Sequence, residues 1–181
     1  MKNIQGFTLV ETLVAVAILM IAIAGPLTIA NQALITALGS RNVMIATYLA
    51  QDGMESIKNI KDNNLATGNT WTSGWADISC TSGSPCSVPE KLNSTAHSSC
   101  LAVSACKLYT DDTESKYMYF YEGTPHLPER ASPFSRFYYF SNPNSNGTMQ
   151  ETVVNVVVDW TDGSIPNEIK LQEIMTNALR N

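Results

Sequence analysis

The stretch that decides the fold runs from Phe7 to Gly39 and reads FTLVETLVAVAILMIAIAGPLTIANQALITALG. Residues 12–40 contain no charged side chain, and roughly 20 apolar residues are enough to cross the hydrocarbon core of a bilayer. This length predicts a transmembrane helix. A cleaved secretory signal is the alternative, but its apolar part has only about 7–15 residues and ends at a small-residue cleavage site, which this stretch does not show.

Two charged side chains, Lys2 and Glu11, precede the uncharged stretch, and each carries information. Lys2 and the amino terminus are positive, so the positive-inside tendency predicts a cytoplasmic start, with the remainder of the chain outside. Glu11 is a carboxylate inside an apolar segment, where an ionised group is costly unless it has a partner. Glu11 therefore either lies near the membrane interface or awaits a positive group from another chain.

The run Gly6-Phe7-Thr8-Leu9-Val10-Glu11 resembles the cleavage and methylation motif of type IV prepilins. It combines a short hydrophilic leader ending in glycine, a phenylalanine after the junction, a glutamate at the family's offset and a long apolar run. The resemblance implies that a prepilin peptidase cuts after Gly6 and methylates the new amine of Phe7. It also implies that Glu11 pairs with the N-terminal amine of a neighbouring subunit during assembly.

Gly25 and Pro26 interrupt the helical pattern slightly before the position where the family usually has a helix-breaking proline. Proline removes a backbone hydrogen bond and kinks a helix, and the adjacent glycine loosens the turn. The resemblance implies that helicity can be lost here in a filament.

The helical pattern continues beyond the membrane-length segment. Its apolar residues recur at helical spacing, with Gly53 on the same face, which predicts an amphipathic helix as far as Lys61, ended by Asp62-Asn63-Asn64. The segment 46–57 (ATYLAQDGMESI) is also similar to the second half of many minor pilin and pseudopilin helices. The apolar positions of this stripe are Leu34, Leu38, Ile45, Leu49, Ile57 and Ile60.

Residues 65–106 are rich in Ser, Thr, Gly and Asn and contain all four cysteines, Cys80, Cys86, Cys100 and Cys106. An even number of cysteines in a segment expected outside the cytoplasm favours disulfides, and we prefer nearest-neighbour pairing among the three connectivities. A zinc site with His97 as an extra ligand is the alternative, although the spacing differs from that of structural zinc sites.

The last part of the chain has the pattern of β-strands. The predicted strands are Lys116–Glu122, Arg136–Ser141, Val153–Trp160 and Ile169–Met175, with a turn at Asp162-Gly163. They form an antiparallel sheet of about four strands, whose apolar face needs a cover that the second half of the helix supplies. The predicted fold class is α+β, with a long N-terminal helix packed on a small sheet, as in pilins.

Composition and motifs exclude several functions. The chain has 181 residues and a net charge of −5, so no nucleic acid is expected as a partner. The aromatic residues between 117 and 140 are better explained as a sheet core than as a stacking platform for single strands. No G-x-S-x-G, H-E-x-x-H or phosphate-binding loop is present, so we predict no catalytic residue, cofactor or metal. Calcium binding by Asp111-Asp112, Asp159 and Asp162 fits no EF-hand spacing.

These inferences divide the chain into a leader (1–6), a transmembrane or filament-core helix (7–30), the amphipathic half of the helix (31–64) and a globular segment (65–181). Within the globular segment, 65–115 is expected to be an irregular insertion and 116–181 the sheet.

The resemblance implies a structural subunit of a type IV pilus-like filament, most simply a minor pilin. Its expected partners are prepilin peptidase, other pilin subunits, the inner-membrane assembly platform and, before assembly, membrane lipid. The expected location is the bacterial inner membrane, in a single pass, and then a pilus or pseudopilus. A type II secretion or competence pseudopilin and a major pilin are the alternatives within this class. Outside it, the alternative is a membrane-anchored extracytoplasmic binding protein or adhesin.

Overall fold

The computed structural model describes residues 8–73, 80–89, 99–100, 106–111, 119–121, 129–141 and 151–177. Contacts divide the chain into two compact units, Met1–Asn42, here the N-terminal unit, and Val43–Asn181, here the head unit. The described elements are α1 Leu9–Ala66, β1 Cys86–Ser87, β2 Lys107–Asp111, β3 Tyr119–Tyr121, β4 Glu129–Ser141, β5 Glu151–Asp162 and β6 Ile165–Thr176. One long helix and an antiparallel sheet confirm the predicted α+β class.

The helix α1 buries one face within the head unit. Its buried positions repeat at intervals of three and four residues, which places them on one side of a helix with 3.6 residues per turn. From Ile45 onward the predicted stripe packs into the hydrophobic core, whereas Leu34 and Leu38 are 61% and 50% exposed. The helix also continues past the predicted end, to Ala66. The buried residues are Ala46, Leu49, Ala50, Gly53, Met54, Ile57, Ile60 and Asn64.

The sheet has the order β3-β2-β4-β5-β6, and the two-residue β1 pairs with one edge of β4. All pairings are antiparallel. Three of the predicted strands lie inside β4, β5 and β6, and the described part of the fourth is β3. The sequence did not predict β2, which lies in the segment expected to be irregular.

The sheet core consists mainly of side chains that alternate along the strands. In β5, Val154, Val156 and Val158 are all 0% exposed, and β-branched residues suit such a pleated and buried surface. These valines point to the same face as Tyr138 of β4 because the register pairs Tyr138 with Val156. This face packs against the buried side of α1, so that helix and sheet form one hydrophobic core.

A two-residue turn joins β5 to β6. Asp162 pairs with Ile165, and Gly163 lies between them with a φ of 64°, a left-handed conformation that favours glycine. The turn predicted at Asp162-Gly163 is therefore confirmed. It fixes an in-register pairing along all twelve residues of β6.

A bulge interrupts the pairing of β2 with β4. Lys107 pairs with Ser135, whereas Tyr109 pairs with Ala131, so β4 carries extra residues between these two positions. The backbone N–H of Phe134 donates to the Oγ of Ser132 at 3.2 Å inside the bulge. Such a bulge bends its strand and changes the direction of nearby side chains.

Candidate functional site

The helix α1 begins with a cap formed by Thr8. Its carbonyl oxygen accepts hydrogen bonds from the backbone N–H groups of Glu11 at 3.1 Å and Thr12 at 3.2 Å, and its hydroxyl oxygen accepts from the Glu11 N–H at 3.3 Å. Thr8 is thus the N-cap residue, and Glu11 lies three residues after it. This T-x-x-E spacing is the capping-box signature, so the sequence itself contains a signal for a helix that starts at Thr8.

Glu11 carries the only charge in a long exposed stretch of α1. Its carboxylate lies in the first turn of the helix, where the helix dipole favours a negative group. The next charged residue along the chain is Arg41. Among the described residues, the carboxylate of Glu11 has no ion-pair partner.

Most side chains from Thr8 to Leu38 are apolar, and they form a surface that the described part of the chain leaves exposed. Every residue from Thr8 to Leu38 is exposed. The helix is long and apolar enough to cross a membrane. Large hydrophobic side chains exposed in such number mark a surface that contacts lipid or other proteins. Those with at least two thirds of their surface exposed include Leu9, Val10, Met20, Ile21, Ile29 and Ile35.

Threonine hydroxyls within this surface bond back to carbonyl groups of the helix itself. The hydroxyl of Thr12 donates to the Leu9 carbonyl at 2.9 Å, and that of Thr28 donates to the Ala24 carbonyl at 2.9 Å. This bonding hides a hydroxyl that lipid could not solvate. The helix runs continuously through Gly25 and Pro26, so the structure retains helicity at the position where the family resemblance implies that it can be lost.

The structure describes only part of the predicted processing site. Gly6 and Phe7 lie outside the described residues, as do His97 and the Asp112 of the suggested calcium site. Glu11 is placed in the first helical turn, and Gly25 and Pro26 lie further along the same helix.

The head unit contains a second, buried cluster around Arg136, which sequence reasoning missed. The Arg136 side chain is 3% exposed; its Nη1 donates to Asp52 Oδ2 at 2.6 Å and to the Leu49 carbonyl at 3.3 Å. Its Nε donates to the Tyr121 hydroxyl oxygen at 3.3 Å, and the guanidinium lies 5.6 Å from the centre of the Tyr121 ring. Burial lowers the pKa of Arg136, but the charges and hydrogen bonds of Tyr121 and Asp52 outweigh this effect and raise it.

The Arg136 cluster fixes the helix to the sheet. Asp52 and Leu49 belong to α1, Arg136 belongs to β4 and Tyr121 belongs to β3. The Tyr121 hydroxyl also donates to the Arg136 carbonyl at 2.7 Å and accepts from the Val88 N–H at 3.2 Å. The described contacts of this cluster join three elements of the head unit, which indicates a role in holding α1 against the sheet.

The four cysteines form two disulfides, Cys80–Cys86 and Cys100–Cys106, which is the nearest-neighbour pairing. All four are at least nine-tenths buried. The first disulfide lies against the sheet, because the backbone N–H of Phe140 donates to the Cys80 carbonyl at 2.9 Å. Among the described residues, no three Cys, His, Asp or Glu side chains lie close enough to share a metal ion.

The comparisons with known proteins agree with this description of the N-terminal region. The model of the prokaryotic N-terminal methylation motif matches residues 1–25. No curated protein and no solved structure matches the chain. A methylation motif followed by a long apolar helix fits a type IV prepilin-like protein. Proteins with this motif are structural rather than enzymatic, and the motif together with the apolar helix fits membrane anchoring.

Proposed function

We propose that this chain is a minor pilin, a low-copy structural subunit that enters a type IV pilus-like filament through its N-terminal helix. The observation that carries the proposal is the methylation motif over residues 1–25, which leads directly into an exposed and uncharged helix surface. A surface of this kind needs lipid before assembly and neighbouring helices after it.

Processing would release the helix with its cap intact. In the proposed reaction, prepilin peptidase hydrolyses the bond between Gly6 and Phe7 and methylates the new amine of Phe7. The mature chain then begins one residue before Thr8, which caps the helix with its own hydroxyl and carbonyl groups. The described hydrogen bonds that start the helix therefore involve only residues that the mature chain keeps.

Assembly would use Glu11 as the partner of an N-terminal amine. In the proposed filament, the carboxylate of Glu11 faces the methylated amine of Phe7 in an adjacent subunit. Opposite charges attract strongly in a medium of low dielectric, and an unpaired buried charge is heavily penalised. A misaligned neighbour leaves both charges unpaired, so the pair also selects the correct register.

The proposed location follows from the same helix. Before assembly the subunit lies in the bacterial inner membrane in a single pass, with the head unit outside the cytoplasm. The two disulfides support this side of the membrane, because disulfides persist in oxidising compartments. The inner-membrane assembly platform then transfers the subunit into the filament.

The cysteine positions favour a minor over a major subunit. Major pilins commonly close a C-terminal loop with a disulfide, whereas the last cysteine of this chain is Cys106 and both disulfides precede β4. A type II secretion or competence pseudopilin undergoes the same processing and is the alternative. Counting subunits in purified filaments separates these roles, since a minor pilin is present in few copies and a major pilin forms the bulk.

The decisive experiment is the intact mass of the chain isolated from membranes, with active and with inactive prepilin peptidase. We expect the active enzyme to yield a chain that begins at Phe7 and carries one additional methyl group, and the inactive enzyme to yield the full chain. A chain that keeps residues 1–6 in the presence of active peptidase would contradict the proposal. It would favour a membrane-anchored binding protein or adhesin instead.

A further inference from the structure

The sheet contains a cavity that the proposed assembly does not use. Its volume is about 560 Å³, and it lies beside the bulge in β4, near the end of the hairpin formed by β5 and β6. Six of its nine lining residues are polar, and these include Lys107, Ser135, Asp159 and Glu168.

Two of the residues that line this cavity are acids on neighbouring strands. The register of β5 and β6 places Asp159 directly opposite Glu168, and the register of β4 and β5 places Ser135 on the other side of Asp159. Side chains directly opposite each other in an antiparallel pair lie on the same face of the sheet, with Cβ atoms about 4.5–5.5 Å apart. Like charges in this position repel each other.

One oxygen of this pair is buried without compensation. The Oδ1 atom of Asp159 is buried and has no hydrogen-bond partner. A buried acceptor that lacks a partner destabilises the folded state, and the cost is larger for an ionised group. A proton shared by the two carboxyl groups removes both the repulsion and the missing hydrogen bond, since it cancels one charge and supplies a donor.

Among the described residues, no cationic side chain neutralises either carboxylate by an ion pair. Lys107 of β2 lines the same cavity, but the ion pairs among the described residues involve neither Asp159 nor Glu168. Lys170 follows Glu168 on the same face of β6, but its ammonium lies 5.3 Å from the centre of the Tyr139 ring. On the β4 side, the residue opposite Asp159 is the uncharged Ser135.

We propose that Asp159 and Glu168 form a proton-dependent clasp, which holds the end of the β5–β6 hairpin more firmly when the pair binds one proton than when both groups are ionised. The proton comes from solvent as the pH falls. The clasp belongs to the head unit and does not depend on the proposed function, so either proposal can fail alone.

The electrostatics determine the direction of the pH dependence. Burial raises the pKa of Asp159 above its ordinary value of 3.8, and the charge of Glu168 raises it further. A group whose pKa is higher in the folded than in the unfolded state stabilises the fold at low pH. This contribution is complete below the ordinary value and is lost as the pH rises through the raised pKa.

The test is the thermal unfolding midpoint of the full chain in detergent, measured at closely spaced pH values from 4 to 8 for the wild type, Asp159→Asn and Glu168→Gln. An amide at either position supplies a donor and stays uncharged at every pH. We expect each variant to unfold about 2–4 °C above the wild type at pH 8. The difference should disappear as the pH approaches 4.

Glu55→Gln is the matched control, because Glu55 is an exposed acid on α1 outside the cavity. Its unfolding midpoint should follow that of the wild type at every pH. If Asp159→Asn shows the same pH profile as the wild type, the proposal is wrong. If Asp159→Asn flattens the profile and Glu168→Gln leaves it unchanged, Asp159 titrates alone, and the proposed pair is also refuted.

Discussion

The two units of this chain differ in the environment of a characteristic charged side chain. In the N-terminal unit, Glu11 is exposed within an apolar surface, and no ion pair reaches it among the described residues. In the head unit, Arg136 is buried, and its donors are occupied by Asp52, Leu49 and Tyr121 of the same chain. A charge satisfied within its own fold stabilises that fold, whereas an unsatisfied charge selects a partner.

The surrounding surfaces differ in the same way. Residues 8–38 are all exposed, although most of them are apolar. In the head unit, the corresponding apolar face of α1 is covered by the sheet, with Ala46 and Ile57 both 0% exposed. Among the described residues, only the second of these two hydrophobic surfaces on the helix is covered. If the first serves assembly and the second serves stability, substitutions in the two units should affect different measurements.

The largest expected effect is on assembly, from Glu11→Ala. Removing one member of a buried charge pair costs about 3–5 kcal/mol, which corresponds to at least about a hundredfold loss of subunit incorporation. The helix cap should persist, because Thr8 accepts from the backbone N–H of residue 11, which alanine retains. The measurement is the fraction of this subunit recovered in sheared filaments, normalised to the amount in membranes.

The control for this prediction is Glu55→Ala, which removes an exposed carboxylate from the head portion of the same helix. It should be incorporated like the wild type. The thermal unfolding midpoint of Glu11→Ala should also equal that of the wild type. Normal incorporation of Glu11→Ala would show that assembly does not depend on the charge of Glu11, which would contradict the proposed role of the N-terminal unit.

The sequence predicted the N-terminal unit better than the head unit, and the reason is physical. A transmembrane helix depends on a run of apolar residues and a motif at fixed spacing, and both are visible in one dimension. The Asp162-Gly163 turn and the valine-rich β5 were predictable for the same reason. Local patterns of this type need no knowledge of distant residues.

Other features depend on contacts between distant segments and left no local signal. The contact of Arg136 with Asp52 joins residues 84 positions apart. The short strand β2 has its register set by β4, which the sequence cannot indicate. Periodicity also does not distinguish an apolar face that meets a sheet from one that meets lipid. The sequence therefore did not indicate that the stripe is buried from Ile45 onward while Leu34 and Leu38 stay exposed.

The next effect is on stability, from Asp52→Ala. The Arg136 guanidinium would stay buried and lose its carboxylate, while its hydrogen bonds to Leu49 and Tyr121 would remain. Because the Asp52 side chain is 69% exposed, we expect a loss of about 2 kcal/mol in the free energy of unfolding, below the cost of a fully buried pair. Chemical denaturation of the full chain in detergent measures it.

Asp62→Ala serves as the comparison for Asp52→Ala. Asp62 is 71% exposed and lies 3.7 Å from Lys61, and an exposed pair of this kind contributes about 0–1 kcal/mol. Equal losses from the two substitutions would show that Arg136 does not depend on its carboxylate. Incorporation into filaments should be unchanged by either substitution, provided the head unit remains folded.

The smallest expected effect comes from replacing glycine by alanine at one position of α1 in each unit, Gly39 in the N-terminal unit and Gly53 in the head unit. At Gly53, an added Cβ would lie 3.0 Å from Val156 Cγ1 and 3.3 Å from Arg136 Cδ. At Gly39 it would meet no atom within 4 Å. Alanine favours a helix over glycine by about 1 kcal/mol, while overpacking a core costs about 1–3 kcal/mol. We therefore expect Gly53→Ala to lower the free energy of unfolding by about 1 kcal/mol and Gly39→Ala to leave it unchanged or slightly higher.

If Gly53→Ala is as stable as Gly39→Ala, the helix does not need glycine for its close approach to the sheet. If Gly39→Ala instead impairs incorporation while the unfolding midpoint is maintained, then a neighbouring helix requires the space at Gly39 that this chain leaves empty.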